Sequence, residues 1–231
     1  MSKVYAIIPA GGSGNRINSE IPKQYMAFHG KELIAYTLEI FQKCKAVDEI
    51  IISVQQTYFK LLAEIKAKYN FTKIREIVEG GKERQHSVFN ALSSIAAHDD
   101  DLILVHDAAR PLLSQEILEN SIEYAFSNDN AVVAIKAKDT LVKGTKTISG
   151  YMEREKISYV QTPQIFRYST LMKAMKKAEE DSFLGTDESM LVSRLGESIH
   201  LVEGSSMNFK VTTESDVEVF NLITSKSTKG F

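Results

Sequence analysis

The sequence predicts an α/β fold: a mostly parallel, twisted sheet flanked by helices, with one projecting β-hairpin. Three observations carry this. Short apolar, β-branched runs alternate with longer stretches whose apolar residues recur at helical spacing. The chain has 231 residues, 43% hydrophobic and 25% charged, and a single domain of that size buries roughly 70–75% of its unfolded surface. The alternation breaks once, at Lys136, where two polar segments flank Lys143-Gly144-Thr145-Lys146.

Val4–Pro9 reads as a buried strand and leads into a glycine-rich turn. Glu32–Lys43 is helical, with Leu33, Tyr36, Thr37, Ile40 and Phe41 on one side. Glu49–Val54 is β-branched and strand-like, Tyr58–Tyr69 is helical, and Ile74–Val78 is a short strand. Arg84–Ala97 is helical and Leu102–His106 is a strand, followed by a helix over Gln115–Phe126 and a strand over Ala131–Ile135. Lys138–Val142 and Thr147–Met152 form the hairpin, an arm spanning 136–156. Its faces are too polar to bury much, so packing on a second subunit would stabilise it; a loose surface loop is the other reading. Tyr159–Phe166, helices at Ser169–Glu180 and near Asp187–Leu195, a strand at Ile199–Val202 and a last helix at Glu214–Ile223 complete one domain over residues 1–231.

Composition excludes several classes of function. The net charge is −2 and the pI about 6.2, so there is no basic excess to bind nucleic acid or anionic lipid. No apolar run approaches the roughly 20 residues of a membrane span. The N-terminal MSKVYAIIPAGG has one Lys and too short an apolar run for a signal peptide. Cys44 is alone, which rules out an intrachain disulfide, and a cytoplasmic location is expected. His29, His86, His98 and His200 lack metal-ligand spacing and Cys44 has no partner cysteine, which argues against a zinc site.

The residues with chemical potential gather at strand ends. Pro9, Pro22, Pro111 and Pro163 each sit there beside charged or hydroxyl groups, and ligands bind at the carboxyl ends of parallel strands. After the first strand, Ala10-Gly11-Gly12-Ser13-Gly14-Asn15-Arg16 offers a backbone nest suited to phosphate oxygens. It is not a dinucleotide fingerprint, because Ile17 stands where Gly is needed, nor a Walker loop, because Gly-Lys-Ser/Thr is absent. Arg16 and Lys23 place two cations nearby. Gly80-Gly81 and Ser87 open a helix, where main-chain groups and one hydroxyl can read a nucleobase edge; a glycine turn with solvated charges is the alternative. Asp107 and Arg110 close the central strand, as ligand or Mg²⁺ contacts or as a structural ion pair. His106 is a candidate base or a packed, hydrogen-bonded imidazole. Thr186-Asp187-Glu188 reads as a helix cap with first-turn carboxylates, and Lys210 as a solvated lysine at a strand end.

In order, PAGGSGNRI, IPKQY, EGGKERQHSV, LVHDAARP, KDT, QTPQIF, GTDE and NFKVTTESD resemble the 2-C-methyl-D-erythritol 4-phosphate cytidylyltransferase family, from Val4 to about Asp216. The resemblance implies a Rossmann-like, glycosyltransferase-A-like nucleotidyltransferase fold, a homodimer with interlocking arms, Mg²⁺ as cofactor and CTP as substrate. By matching position, it implies that Arg16 and Lys23 grip the triphosphate and Lys210 stands close to the reacting phosphates. It places Ala10, Gly11 and Gly12 against the nucleotide, Gly81 and Ser87 against cytosine, and Asp107 and Arg110 along the site. Thr140, Arg154, Thr162 and Thr186 match contacts to the sugar phosphate, with Arg154 supplied by the neighbouring subunit's arm. The first loop reads Ala-Gly-Gly where this family often has Ala-Ala-Gly, and Lys82 replaces a frequent acidic residue. Ala-Gly-Gly is nearer to the ribitol-5-phosphate cytidylyltransferases, whereas Asp-Ala-Ala-Arg-Pro and Thr-Asp-Glu favour the methylerythritol enzymes.

Overall fold

The computed structural model describes residues 2–12 and 21–227. The first half runs β1 (Val4–Pro9), the short pair β2 (Ala27–Phe28) and β3 (Lys31–Glu32), α1 (Leu33–Lys43), β4 (Glu49–Val54), α2 (Phe59–Lys68), β5 (Ile74–Glu79), α3 (Arg84–Ser94) and β6 (Leu102–Val105). The second half runs α4 (Gln115–Asn128), β7 (Ala131–Lys136), β8 (Val142–Lys143), β9 (Gly150–Tyr151), β10 (Ser158–Arg167), α5 (Tyr168–Glu180), α6 (Glu188–Ser193), β11 (His200–Glu203) and α7 (Glu214–Ser227).

The main sheet has the order β11-β7-β10-β6-β1-β4-β5. β1 pairs in parallel with β4 and β6, β4 with β5, and β7 with β11, while β10 runs antiparallel to both β6 and β7. The mostly parallel sheet expected from the alternation is therefore present, with one reversed strand inside it. The β-period of two splits β1 between layers. Ala6 and Ile8 pack with Ile34, Leu38 and Phe41 of α1, Leu62 of α2 and Leu118 of α4. Tyr5 and Ile7 pack with Val88 and Leu92 of α3 and with Leu171 and Met175 of α5. Each fully buried Leu, Ile or Phe contributes about 1.5–3 kcal/mol. A third cluster, Phe28, Leu33, Ala109, Val211 and Phe220, fastens α7 over α1 and the β2–β3 pair.

The hairpin is shorter than expected. Its ladder is limited to Val142–Lys143 against Gly150–Tyr151, extended by the Met152 N–H donating to the Leu141 carbonyl at 2.9 Å. Val142, Ile148 and Tyr151 stand in solvent instead of packing on the body, so no buried face lengthens the ladder. Gly144 has φ +131°, and a Cβ there would fall 2.0 Å from the Thr147 carbonyl oxygen, so the turn requires glycine. No described helix is long and apolar enough to cross a membrane.

Candidate active site

A cleft of about 560 Å³ opens beyond the carboxyl ends of β1, β4, β5 and β6. Its walls bring together Ala10, Gly11, Gly12, Lys23, Gly81, Ser87, Asp107 and Lys210, residues picked out from separate stretches of sequence. Arg16 lies outside the described residues.

The first loop is pinned by two glutamines that the sequence did not flag. The buried Gln24 amide donates to the carbonyls of Ala10 at 2.7 Å and Gly12 at 2.9 Å, and the Gln55 amide donates to the carbonyl of Gly11. Three acceptor oxygens that would repel a phosphate are thus each satisfied by an amide. Gln24 also fixes the segment carrying Lys23 to the loop. The second loop is equally constrained. A Cβ on Gly81 would lie 2.2 Å from the His86 Cβ, so no other residue fits. The Gly81 N–H donates to the Ser87 hydroxyl oxygen at 3.0 Å, and that hydroxyl donates to the Glu83 carbonyl at 3.1 Å. Glu83 and His86 form a reciprocal cap at the start of α3.

Asp107, directly after β6 and His106, is the electrostatic centre. Its Oδ2 meets the Lys210 ammonium at 3.0 Å and the Arg110 Nε at 3.5 Å, and its Oδ1 meets the Arg84 Nε at 3.1 Å. Burial alone would push this carboxyl up. The Arg84, Lys210 and Arg110 cations overcome that and hold it well below the usual carboxylate range. Arg84 Nη1 in turn donates to both oxygens of Glu188, at 2.7 and 2.9 Å. Glu188 is 1% exposed, and burial pushes its carboxyl up against the pull of Arg84. Arg84 and Glu188 went unrecognised in the sequence; a charged residue at each of two helix starts reads as solvated until the elements are placed together.

Lys210 is set by its neighbours. The Val211 N–H donates to the Ala109 carbonyl at 2.8 Å, and Arg110 Nη1 donates to the Asn208 carbonyl at 2.7 Å. The fully buried Asn208 amide donates to the Thr162 carbonyl at 2.8 Å. Beyond Lys210, Asp216 Oδ2 accepts from the Thr212 and Thr213 amides, both at 2.8 Å, which caps α7.

The remaining expected site residues stand elsewhere. Thr162 is buried behind Asp107, where its hydroxyl accepts the Asp107 N–H at 3.2 Å. Thr186 is exposed before α6. Asp187 caps that helix as expected, accepting from the Met190 N–H at 2.9 Å. Thr140 and Arg154 are exposed on the arm, and Arg154 Nη1 donates to the Lys138 carbonyl at 3.1 Å.

His106 proves to be a packed imidazole. Nδ1 lies 3.0 Å from the Thr162 hydroxyl and Nε2 lies 3.1 Å from the Arg110 carbonyl, so Nε2 carries the proton and Nδ1 accepts. Burial lowers its pKa from 6.5 to about 4. The unfolded chain therefore takes up a proton at a higher pH than the folded one. The stability His106 contributes is complete above pH 6.5 and is lost as pH falls toward 4, on the order of 3 kcal/mol. Thermal melts at pH 7 and pH 4.5 should show a larger acid-induced drop for the wild type than for His106→Gln. Equal drops would mean that the imidazole is not buried in its neutral form.

The donor set is not a metal cage. No group of three His, Cys, Asp or Glu side chains stands together among the described residues. Asp107, the carboxylate expected to meet Mg²⁺, already has Oδ1 on Arg84 and Oδ2 on Lys210 and Arg110, so a divalent cation does not fit on it while those pairs stand.

Two glycine loops and a lysine–aspartate pair thus face one strand-end cleft. The family model described as IspD: 2-C-methyl-D-erythritol 4-phosphate cytidylyltransferase matches residues 4–226. The chain belongs to that family. It is 41% identical to the 2-C-methyl-D-erythritol 4-phosphate cytidylyltransferase of Geotalea uraniireducens (strain Rf4) over 218 residues, 93% of this chain and 94% of that one. It is also 41% identical to the Clostridium perfringens protein of the same name over 224 residues, covering 94% and 96% of the two chains. The crystal structure of the Francisella tularensis 2-C-methyl-D-erythritol 4-phosphate cytidylyltransferase superposes with a TM-score of 0.81 at 32% identity, over 96% of this chain and 99% of that one. As a member of the family, the chain is a nucleotidyltransferase.

Proposed function

We propose that the chain transfers a cytidylyl group from CTP to 2-C-methyl-D-erythritol 4-phosphate in the non-mevalonate isoprenoid precursor pathway, giving 4-CDP-2-C-methyl-D-erythritol and pyrophosphate. One observation supports this most: Lys23, Lys210, Asp107 and both glycine loops line a single cleft. An oxygen of the acceptor phosphate attacks the α-phosphorus of CTP. A new P–O bond forms, the bond to the β-phosphate bridging oxygen breaks, and pyrophosphate leaves with that electron pair. A phosphate monoester has its second pKa at about 6 and is mostly a dianion at neutral pH. No general base is required, which agrees with a neutral, buried His106.

The barrier is electrostatic, because one anion must approach another. Lys23 and Lys210, with Arg16 by its sequence position, supply positive charge to the transition state and to the departing pyrophosphate. Asp107 holds Lys210 in place at 3.0 Å until phosphate oxygens take it over. Gly81 and Ser87 shape the base pocket, and Arg110, Thr140, Arg154, Thr162 and Thr186 serve the acceptor side. Mg²⁺ brought in on the triphosphate would neutralise further charge there. The arm over 136–156 reaches a second subunit and lends it Arg154, which gives the exposed Val142, Ile148 and Tyr151 a surface to pack on. A cytoplasmic place fits the single, buried Cys44.

The experiment is a pyrophosphate-release assay with CTP against a panel of polyol phosphates. Release is expected with 2-C-methyl-D-erythritol 4-phosphate, with little from ribitol 5-phosphate or without an acceptor. Release independent of acceptor, or faster with ribitol 5-phosphate, would reject the assignment.

A further inference from the structure

We propose that Glu188, acting through Arg84, is a positioning residue that sets where the Lys210 ammonium stands; this rests on the reading of Lys210 as a cation that meets the reacting phosphates. The contacts form one chain across the cleft wall. Both Glu188 oxygens hold Arg84 Nη1, Arg84 Nε holds Asp107 Oδ1, and Asp107 Oδ2 is left to Lys210 at 3.0 Å and Arg110 at 3.5 Å. Three cations, Arg84, Arg110 and Lys210, share two carboxylates. Without the Glu188 charge, all three would compete for Asp107 alone. Arg84 and Arg110 are 28% and 13% exposed in their side chains, Lys210 37%. The least buried and most flexible of the three, Lys210, is the one that would be displaced.

Glu188 is itself held firmly. On one side, Asp187 Oδ2 accepts from the Gln164 amide at 3.2 Å; on the other, the Ser189 N–H donates to Gln164 Oε1 at 2.9 Å. The start of α6 is thereby tied to β10. A buried carboxylate–guanidinium pair is an inefficient way to fasten two helices, since apolar residues of similar volume often hold better. Its value here is directional: it draws the Arg84 charge away from the oxygen that Lys210 uses.

The test compares kcat, KM for CTP and melting temperature for the wild type, Glu188→Gln, Arg84→Gln/Glu188→Gln and Lys210→Ala. Glu188→Gln is expected to lower kcat about tenfold or more while KM changes by less than about threefold. The double variant, with two cations facing one carboxylate, should regain at least about threefold in kcat over Glu188→Gln. A merely structural pair predicts recovery of the melting temperature without recovery of kcat, and a double variant as slow as the single one would overturn the proposal. Should Glu188→Gln fail to fold, the double variant decides alone: kcat within about tenfold of wild type with KM for CTP changed less than about threefold supports positioning, and any greater loss overturns it. If Lys210→Ala is slow but Glu188→Gln turns over normally, the positioning role fails by itself. If Lys210→Ala turns over normally, the underlying reading of Lys210 fails and this proposal with it.

Discussion

Lys210→Ala lowers kcat by about a hundredfold or more, the usual consequence of removing one preorganised electrostatic donor. The structure gives two reasons to expect the loss in kcat rather than in KM. First, the ammonium is already placed before substrate arrives, by the Val211–Ala109 backbone bond and the contact with Asp107 at 3.0 Å. Its placement therefore costs little at the moment of reaction. Second, on the proposed reading Lys23 and the pinned first loop also meet the triphosphate, and both share the cleft and survive the substitution. The lysine side chain is 37% exposed, so its loss should leave the melting temperature nearly unchanged. Steady-state pyrophosphate release with both substrates varied would measure the two constants. Near-normal kcat with only a raised KM would remove Lys210 from the reaction centre and leave it a binding residue.

The parts of this molecule legible in the sequence are those governed by local periodicity and by residue types with few alternatives. The β-branched runs Val4–Pro9 and Glu49–Val54 became strands with those bounds, because a continuous apolar run fits a strand buried on both faces. The cleft was legible because Pro9 and the paired glycines mark strand ends and Asp107 follows a strand-like run; Pro163, by contrast, lies inside β10, and Lys210 lies in an irregular stretch between β11 and α7 rather than at the strand end expected of it. What escaped depends on contacts between distant residues. Arg84 and Glu188 lie 104 residues apart, and each reads locally as a helix-start charge. Gln24 and Gln55 act through their amides on backbone carbonyls, a role that leaves no pattern in composition. The reversed direction of β10 is equally silent, since burial alternates the same way in either orientation. The β2–β3 pair is two residues a side, too short to show a period. His106 was ambiguous for the opposite reason: its type suggests a base, and only its two partners show a closed hydrogen-bond chain.

Asp107→Asn keeps the shape of the side chain and removes the charge beneath three cations, and so tests the centre of the site most severely. Breaking a buried ion pair from one side typically costs about 3–5 kcal/mol, because the partner charges stay behind unpaired. Arg84 retains Glu188, but Arg110 and Lys210 lose the carboxylate they share. Turnover should fall by about a hundredfold or more, since the Lys210 ammonium loses its anchor. The pH dependence has a definite sign. The Asp107 carboxyl titrates below its ordinary 3.8 when folded, so its contribution is fully present above that value and disappears only as pH falls further. The gap in stability between wild type and Asp107→Asn should therefore stay constant from pH 8 to about pH 5 and close only in stronger acid. A gap that closes near pH 6 would mean that the three cations do not hold the carboxylate ionised. Adding Lys210→Ala to Asp107→Asn removes one stranded cation and should restore part of the lost stability. It cannot restore turnover, because the charge needed at the phosphates has gone with it. Recovery of stability without recovery of activity would separate the two duties of this cluster: it holds the wall of the cleft together, and it keeps a lysine where two anions must meet.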